Sequence, residues 1–132
     1  MALLKLRNVT KLYRTGNAPV MALQDVSLDV DEGDFVALVG KSGCGKSTLL
    51  NVCGAMDFPS FGEVMLDGYL TSRLSDGELT RLRRDKVGFV FQSFQLLHTL
   101  TAAENVELPL LLAHKPRARA TAVERLRRVE MG

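Results

Sequence analysis

The sequence predicts an α/β fold, and three observations support this prediction. Residues 35–39 and 87–91 are uninterrupted apolar runs of the kind that forms strands buried on both faces of a parallel sheet. Helical signals at residues 48–55, 75–84 and 102–113 alternate with strand-like segments. The composition, 46% hydrophobic and 24% charged, is that of an ordinary globular chain rather than a disordered one.

The N-terminal part of the chain carries the signals of two strands. Residues 3–9 alternate apolar and basic side chains, which is typical of a strand at a sheet edge, and residues 26–31 alternate apolar and polar ones. The segment 14–19 contains Gly16 and Pro19 and favours a turn between them. Residues 31–34 then turn the chain into the apolar run at 35–39.

Shorter elements follow in order. A helix is predicted over residues 48–55, ending near Gly54, and a brief strand over 64–66 that closes at Asp67 and Gly68. Ser75 and Glu78 have the spacing of a capping box and predict a helix over 75–84. A third helix, over 102–113, is expected to be disturbed at Pro109. The last helix carries an apolar stripe, made of Ala118, Ala122, Val123, Leu126 and Val129.

Charge and composition exclude several classes of protein. The net charge is only +2, which gives no argument for a nucleic-acid partner. No apolar run approaches the roughly 18 residues of a membrane span, and the N-terminus lacks the apolar core of a signal peptide. Two cysteines, Cys44 and Cys53, are too few for a disulfide framework and fit a reducing compartment. We therefore expect a cytoplasmic chain without direct membrane insertion.

The strongest signal is a glycine-rich motif at residues 40–48. A glycine followed by four residues and then Gly-Lys-Ser is the pattern of a phosphate-binding loop, and it lies between a predicted strand and a predicted helix. Such a loop directs backbone N–H groups at phosphate oxygens, while Lys46 reaches the terminal phosphates and the Ser47 hydroxyl binds Mg²⁺. A glycine turn that matches by chance is the alternative. The predicted nucleotide-binding residues are Gly40, Lys41, Ser42, Gly43, Cys44, Gly45, Lys46, Ser47 and Thr48.

The flanking sequence resembles one family of nucleotide-binding proteins. Residues 88–97 read GFVFQSFQLL and residues 99–110 read TLTAAENVELPL. Together with the loop they resemble the ATP-binding subunit of an ABC transporter, of the lipoprotein-release and macrolide-export type. The resemblance implies a P-loop NTPase core with an antiparallel β subdomain at the N-terminus and the start of an α-helical subdomain, truncated before the signature motif. The core is expected at about 1–92 and the helical part at about 93–132.

The same resemblance assigns further site residues. Gln92 matches the glutamine of the Q-loop, which implies a second Mg²⁺ ligand that approaches the attacking water. Lys46 and Gln92 are thus the expected catalytic residues, and Ser47 and Gln92 the expected metal ligands. Tyr13 resembles the aromatic residue that stacks on adenine, and Val20 is expected to line the same base pocket. An edge-strand tyrosine that merely covers the sheet is the alternative for Tyr13.

Other motifs of the resembled family are missing from the sequence. The family has a Walker B motif, a strand of four apolar residues followed by aspartate and glutamate. The nearest match here is Val64-Met65-Leu66-Asp67, in which only three apolar residues precede the aspartate and no glutamate follows. The signature motif and the switch histidine are also absent. We therefore expect weak ATP binding, slow or no hydrolysis, and apolar surface left exposed where central strands are missing.

Several functional interpretations remain open at this stage. The first is the ATP-binding part of a transporter that works with a membrane permease subunit and a second nucleotide-binding domain at the inner face of the membrane. The second is a fragment that binds nucleotide without hydrolysing it and acts only by association. A soluble ABC ATPase of DNA repair or translation ranks third, and a small-molecule kinase ranks last. The basic segment 115–128 favours a solvated helix face over an interaction surface.

Overall fold

Two long strands open the chain and pair as an antiparallel hairpin. Strand β1 (Ala2–Thr15) runs beside β2 (Ala18–Asp31), and the chain reverses at Gly16, whose φ is 66°. The computed structural model describes residues 1–132. The chain forms two compact units, Met1–Lys86 and Val87–Gly132. The hairpin belongs to the first unit, and each unit is described below by itself.

The sheet of the first unit contains two further strands. β3 (Phe61–Leu66) pairs with β1, and β4 (Tyr69–Leu70) pairs with β3 across the turn at Asp67 and Gly68. The order is β2-β1-β3-β4 and every pairing is antiparallel. The expected N-terminal antiparallel subdomain is therefore confirmed, with strands longer than the alternation in the sequence indicated.

A close approach between β1 and β3 limits how far these two strands pair. Their register runs from Leu4 to Thr10 and shifts between Arg7 and Thr10, where Asn8 has a positive φ. Gly62 lies opposite this irregularity, and a Cβ there would come within 2.3 Å of the Asn8 carbonyl oxygen. β1 thus continues past Thr10 with β2 as its only strand neighbour, while the Ser60 side chain bonds the backbone of Leu12.

The first helix packs on the sheet and completes the core. Helix α1 (Lys46–Cys53) ends at Gly54, close to the prediction. Its Val52 is fully buried with side chains from three strands, and Leu49 and Cys53 pack against the same cluster. The buried cluster consists of Leu6, Val9, Leu23, Val52 and Val64.

Helix α2 (Asp76–Lys86) closes the first unit and follows a short 3-10 turn at Thr71–Arg73. Its capping box is present as predicted: Ser75 N–H donates to Glu78 Oε2 at 2.8 Å, and Glu78 N–H donates to Ser75 Oγ at 3.3 Å. Hydrogen bonding from the Ser75 backbone and side chain to the carboxylate lowers the pKa of Glu78. Leu79 and Leu82 are the buried residues of this helix.

The second unit contains two helices, α3 (Ala102–Leu112) and α4 (Ala118–Arg128). A second capping box, between Thr101 and Glu104, begins α3. The helix continues through Pro109 to Leu112, so the expected disturbance does not end it. In α4 the predicted stripe is buried at Ala118 and Ala122, whereas Val129 lies beyond the helix end and is 64% exposed.

The two apolar runs that suggested central strands do not form strands. Residues 35–39 and 87–91 have no β pairing, and Phe35, Val39 and Val90 are 99%, 92% and 100% exposed. A strand requires a neighbour for its backbone hydrogen bonds, and neither run takes part in a β pairing. The strand predictions are wrong at these positions, and the expected exposure of apolar surface is confirmed.

Aromatic residues in the second run are likewise outside the core. Phe91, which belongs to the strand predicted to be buried over 87–91, is 47% exposed, and its ring stacks on that of Phe89 with centroids 5.6 Å apart. No helix in the structure has the length and hydropathy required to cross a membrane.

Candidate nucleotide-binding site

The glycine-rich motif forms a curled loop that leads into α1. The Cys44 N–H donates to the Lys41 carbonyl at 3.3 Å, which closes a turn within the loop. Gly43 and Gly45 have φ values of 80° and 95°, in the left-handed region that favours glycine. Gly45 is the N-cap of α1, so the loop and the helix share one residue.

At two glycines of the loop, a side chain would come too close to neighbouring atoms. A Cβ at Gly45 would lie 2.4 Å from the Ala22 carbonyl oxygen on β2, and one at Gly40 would lie 2.6 Å from Cys44 Sγ. The first contact is with backbone and cannot be relieved by a rotamer change. The loop therefore lies against β2 at a distance that only glycine permits.

The start of α1 offers several free backbone donors. Leu49 N–H, bonded to the Gly45 carbonyl at 2.9 Å, is the first N–H that pairs within the helix, so those of Lys46, Ser47 and Thr48 have no intrahelical acceptor. No side chain caps this end and no acidic residue lies in its first turn. The positive end of the helix dipole adds to these donors. The arrangement suits an anion with several oxygens, such as a phosphate chain.

The ammonium group of Lys46 lies inside the curve of the loop. Its Nζ donates to the carbonyl oxygens of Gly40 and Lys41, both at 2.7 Å, and contacts Cys44 Sγ at 3.4 Å. The loop thus brings the Lys46 ammonium group back to Gly40 and Lys41, the first two residues of the motif. A flexible four-carbon side chain can exchange these carbonyls for phosphate oxygens that bind beside them.

The chemistry of the loop also fits Mg²⁺ held together with a phosphate. Ser47 lies in the first turn of α1, and its hydroxyl is the hard oxygen ligand that Mg²⁺ prefers. No group of three or more histidine, cysteine or acidic side chains in the structure could hold a metal by itself. Mg²⁺ would therefore take most of its ligands from phosphate oxygens and water, as it does in other phosphate-loop sites.

The two residues expected at the base lie side by side on the hairpin. Tyr13 and Val20 are direct cross-strand partners on β1 and β2, and they are 36% and 53% exposed. The Tyr13 hydroxyl donates to Asp57 Oδ2 at 2.8 Å. This hydrogen bond and partial burial raise the pKa of the Tyr13 phenol, while the Thr48 side chain acts in the opposite direction.

Asp57 is bonded to a candidate site residue, and the sequence did not predict this contact. Its carboxylate accepts from Tyr13 and from Lys11 Nζ, the latter at 2.9 Å. Burial opposes ionisation, but the hydrogen bonds from Lys11, Tyr13 and the Phe58 N–H outweigh it and lower the pKa of Asp57. Tyr13 and Asp57 are 44 positions apart, so no local pattern could have linked them.

Gln92 lies in the second unit, in the irregular segment that precedes α3, and it is exposed. The end of that segment is fastened by Asn105, whose side chain bonds the backbone of Leu97, Leu100 and Thr101. Asn105 lies within the stretch that carried the family resemblance, but no local pattern predicted these hydrogen bonds.

Comparisons with known proteins identify the family of the chain. The ABC transporter family model matches residues 23–132. The chain is 52% identical over 113 residues to the uncharacterized ABC transporter ATP-binding protein MJ0796 of Methanocaldococcus jannaschii, covering 86% of this chain and 48% of that protein. It is 49% identical over 116 residues to the macrolide export ATP-binding/permease protein MacB of Burkholderia pseudomallei, covering 88% of this chain and 18% of MacB. The chain thus spans about half the length of the first relative.

Solved structures show the same fold. The dimeric post-hydrolysis structure of the MJ0796 cassette, bound to ADP and Pi, matches with a TM-score of 0.88 at 49% identity. It covers 96% of this chain, and the match spans 57% of the solved one. A second dimeric structure of the same cassette gives a TM-score of 0.90 at 48% identity.

Proposed function

Given that this chain belongs to the ABC transporter family of ATP-binding domains, we propose that residues 40–48 bind the triphosphate of ATP together with Mg²⁺. One observation carries the proposal: the uncapped N-terminus of α1 follows a glycine loop that encloses the Lys46 ammonium. This places a cation and several N–H donors around one concave backbone, as phosphate recognition requires.

The other site residues receive roles consistent with this binding mode. Lys46 binds the terminal phosphates, and the Ser47 hydroxyl is one Mg²⁺ ligand. Tyr13 and Val20 contact the adenine from the hairpin. Gln92 is assigned, by family resemblance, as a second Mg²⁺ ligand and as the residue that orients the attacking water.

The complete transporter is proposed to couple ATP binding and hydrolysis to export or to lipoprotein release. The match to MacB, which is named for macrolide export, supports the direction of transport, and the dimeric MJ0796 structures support pairing with a second nucleotide-binding domain. A membrane permease subunit would hold the protein at the cytoplasmic face of the membrane. The residues 1–132 are proposed to bind ATP with slow or no turnover, because they include no Asp-Glu pair after an apolar strand to position water.

Binding of mant-ATP to Lys46→Ala tests the phosphate site, with Lys115→Ala in the second unit as the matched control. Loss of one charge-assisted contact should weaken binding about 10-fold to 100-fold in Lys46→Ala, and the control should bind like the parent chain. Equal affinity in both variants would refute the assignment of the loop. Release of inorganic phosphate that Lys46→Ala abolishes would refute the proposal that these residues do not turn over ATP.

A further inference from the structure

The candidate base residue Tyr13 lies on a part of the hairpin with little backbone support. Pairing of β1 with β3 ends at Thr10, while pairing with β2 continues to Thr15. Residues 12–15 and 18–21 therefore have only each other as strand neighbours, and Leu12 N–H is held by Ser60 Oγ at 2.9 Å. Two-stranded ribbons of this kind are marginally stable by themselves. The orientation of the Tyr13 ring must depend on side-chain contacts.

Those contacts come from one carboxylate and one ammonium group. Asp57 Oδ2 accepts from the Tyr13 hydroxyl at 2.8 Å, and Asp57 Oδ1 accepts from Lys11 Nζ at 2.9 Å. Lys11 Nζ also lies over the Tyr13 ring, 5.1 Å from its centroid, a cation–π distance. The ring is thus fixed at its hydroxyl group and covered on one face by the ammonium group, and the residue remains 36% exposed.

The carboxylate is itself fixed to the helix that begins at the phosphate loop. Asp57 N–H donates to the Asn51 carbonyl of α1 at 3.2 Å, and Phe58 N–H donates to Asp57 Oδ1 at 2.8 Å. Lys11 Nζ also donates to the Phe58 carbonyl at 2.7 Å, and its side chain is only 14% exposed. The segment after α1 and the ribbon are therefore joined by hydrogen bonds on both sides of Asp57.

We propose that Asp57, with Lys11, is the positioning residue of the base site: it holds the Tyr13 ring, from the segment after α1, in the orientation in which the ring stacks on adenine. The inference rests on the proposed ATP binding. It assigns part of the preference of the site for adenine to Asp57, which acts through Tyr13 and does not itself contact the nucleotide. Asp57 sets the contribution of the base to affinity and leaves the contribution of the phosphates unchanged.

The absence of tryptophan makes this testable by tyrosine fluorescence. The chain has two tyrosines, so Tyr69→Phe leaves Tyr13 as the sole tyrosine emitter. In that background Mg-ATP should quench Tyr13 emission to saturation, whereas inorganic triphosphate should displace mant-ATP without quenching. Tyr13→Phe alone, in which only Tyr69 emits, corrects for absorption by the nucleotide.

Asp57→Asn provides the decisive comparison, because the amide keeps the size of the carboxylate but loses its charge. ATP affinity should fall about threefold to tenfold, the scale of one aromatic stacking interaction, while affinity for inorganic triphosphate changes less than about twofold. Tyr13→Phe keeps the aromatic ring but removes the hydroxyl group that bonds Asp57. Measured by mant-ATP displacement, it should show the same loss of ATP affinity with little change in triphosphate affinity. Asp67→Asn is the matched control, since Asp67 also pairs with a lysine, Lys86 at 3.2 Å.

The outcomes separate this inference from the proposed function. An equal loss of ATP and triphosphate affinity in Asp57→Asn would assign Asp57 to the phosphate loop or to overall stability and overturn the inference. Unchanged affinity for both ligands would overturn it as well, while ATP binding that depends on Lys46 would leave the proposed function standing. If the parent chain binds neither ligand, both proposals fail together. If Asp57→Asn does not fold, Tyr13→Phe decides by the same criterion.

Discussion

Leu97 and Asn105 exchange two hydrogen bonds in the second unit. Leu97 N–H donates to Asn105 Oδ1 at 2.9 Å, and Asn105 Nδ2 donates to the Leu97 carbonyl at 3.1 Å. The same Nδ2 donates to the carbonyls of Leu100 and Thr101 at 3.2 and 3.0 Å. One amide side chain thus fixes the end of the segment that contains Gln92 to the first turn of α3.

We expect Asn105→Ala and Asn105→Asp to have different effects on this turn. Alanine removes both the acceptor and the donors, which should destabilise the turn by about 1–3 kcal/mol and expose the Leu97 amide to exchange. Aspartate keeps the acceptor, so Leu97 N–H should stay protected although the three carbonyls lose their donor. Hydrogen exchange at Leu97 measures the difference, and the same protection in both variants would contradict this account.

The loop glycines should differ in their tolerance of alanine. Gly43 and Gly45 both have positive φ, but only at Gly45 would a Cβ meet backbone, 2.4 Å from the Ala22 oxygen. Gly43→Ala should lower the free energy of unfolding by about 1–2 kcal/mol through backbone strain. Gly45→Ala should cost more than that and should also weaken mant-ATP binding. Thermal unfolding of the two variants tests the order, and a reversal would exclude the close contact with β2.

Alkaline pH should lower the free energy of unfolding of the first unit through ionisation of Tyr13. Its hydrogen bond to Asp57 and its partial burial raise its pKa above the usual value of 10.0. The folded chain therefore keeps the phenol proton at a pH where the unfolded chain begins to lose it. The resulting stabilisation is fully present below about pH 10 and is lost as the pH rises through the folded pKa. The free energy of unfolding of the parent chain minus that of Tyr13→Phe should decline above that pH, and parallel curves would contradict the assignment.

The two cysteines should react with thiol reagents at very different rates. Cys44 is exposed in the phosphate loop, whereas burial raises the pKa of Cys53 to about 11. At pH 8 the thiolate fraction of such a group is about one in a thousand. One thiol per chain should therefore react rapidly in the folded state, and the second only on unfolding. Cys44→Ser should abolish the rapid phase and Cys53→Ser should preserve it; two rapid thiols would show that α1 is not packed on the sheet.

The exposed run before the phosphate loop should tolerate truncation of its largest side chain. Phe35 is 99% exposed, so Phe35→Ala should change the free energy of unfolding by less than about 0.5 kcal/mol. A buried phenylalanine would lose about 3–5 kcal/mol on the same change. Val52→Ala, at a fully buried position of α1, is the control that should destabilise the chain. A large effect at Phe35 would mean that residues 35–39 are packed.

The sequence predicted those elements whose cause is local. The capping box at Ser75 and the glycine loop before α1 depend on neighbouring residues, and both are present. The strand prediction for residues 35–39 was wrong because hydrophobicity indicates only that a segment favours burial. It does not show whether a neighbouring strand is present to pair with that segment. The bond from Tyr13 to Asp57 was missed for a related reason: the ribbon and the end of α1 meet only when the chain folds.

The phosphate loop joins a packed element of secondary structure on one side only. On one side it enters α1, which is packed on the core; on the other it joins residues 35–39, which have no strand neighbour. We therefore expect part of the binding free energy of the phosphates to be consumed in ordering residues 35–39. A polypeptide that paired with residues 35–39 would raise nucleotide affinity without touching the nucleotide. By thermodynamic reciprocity, bound nucleotide would strengthen that pairing by the same factor.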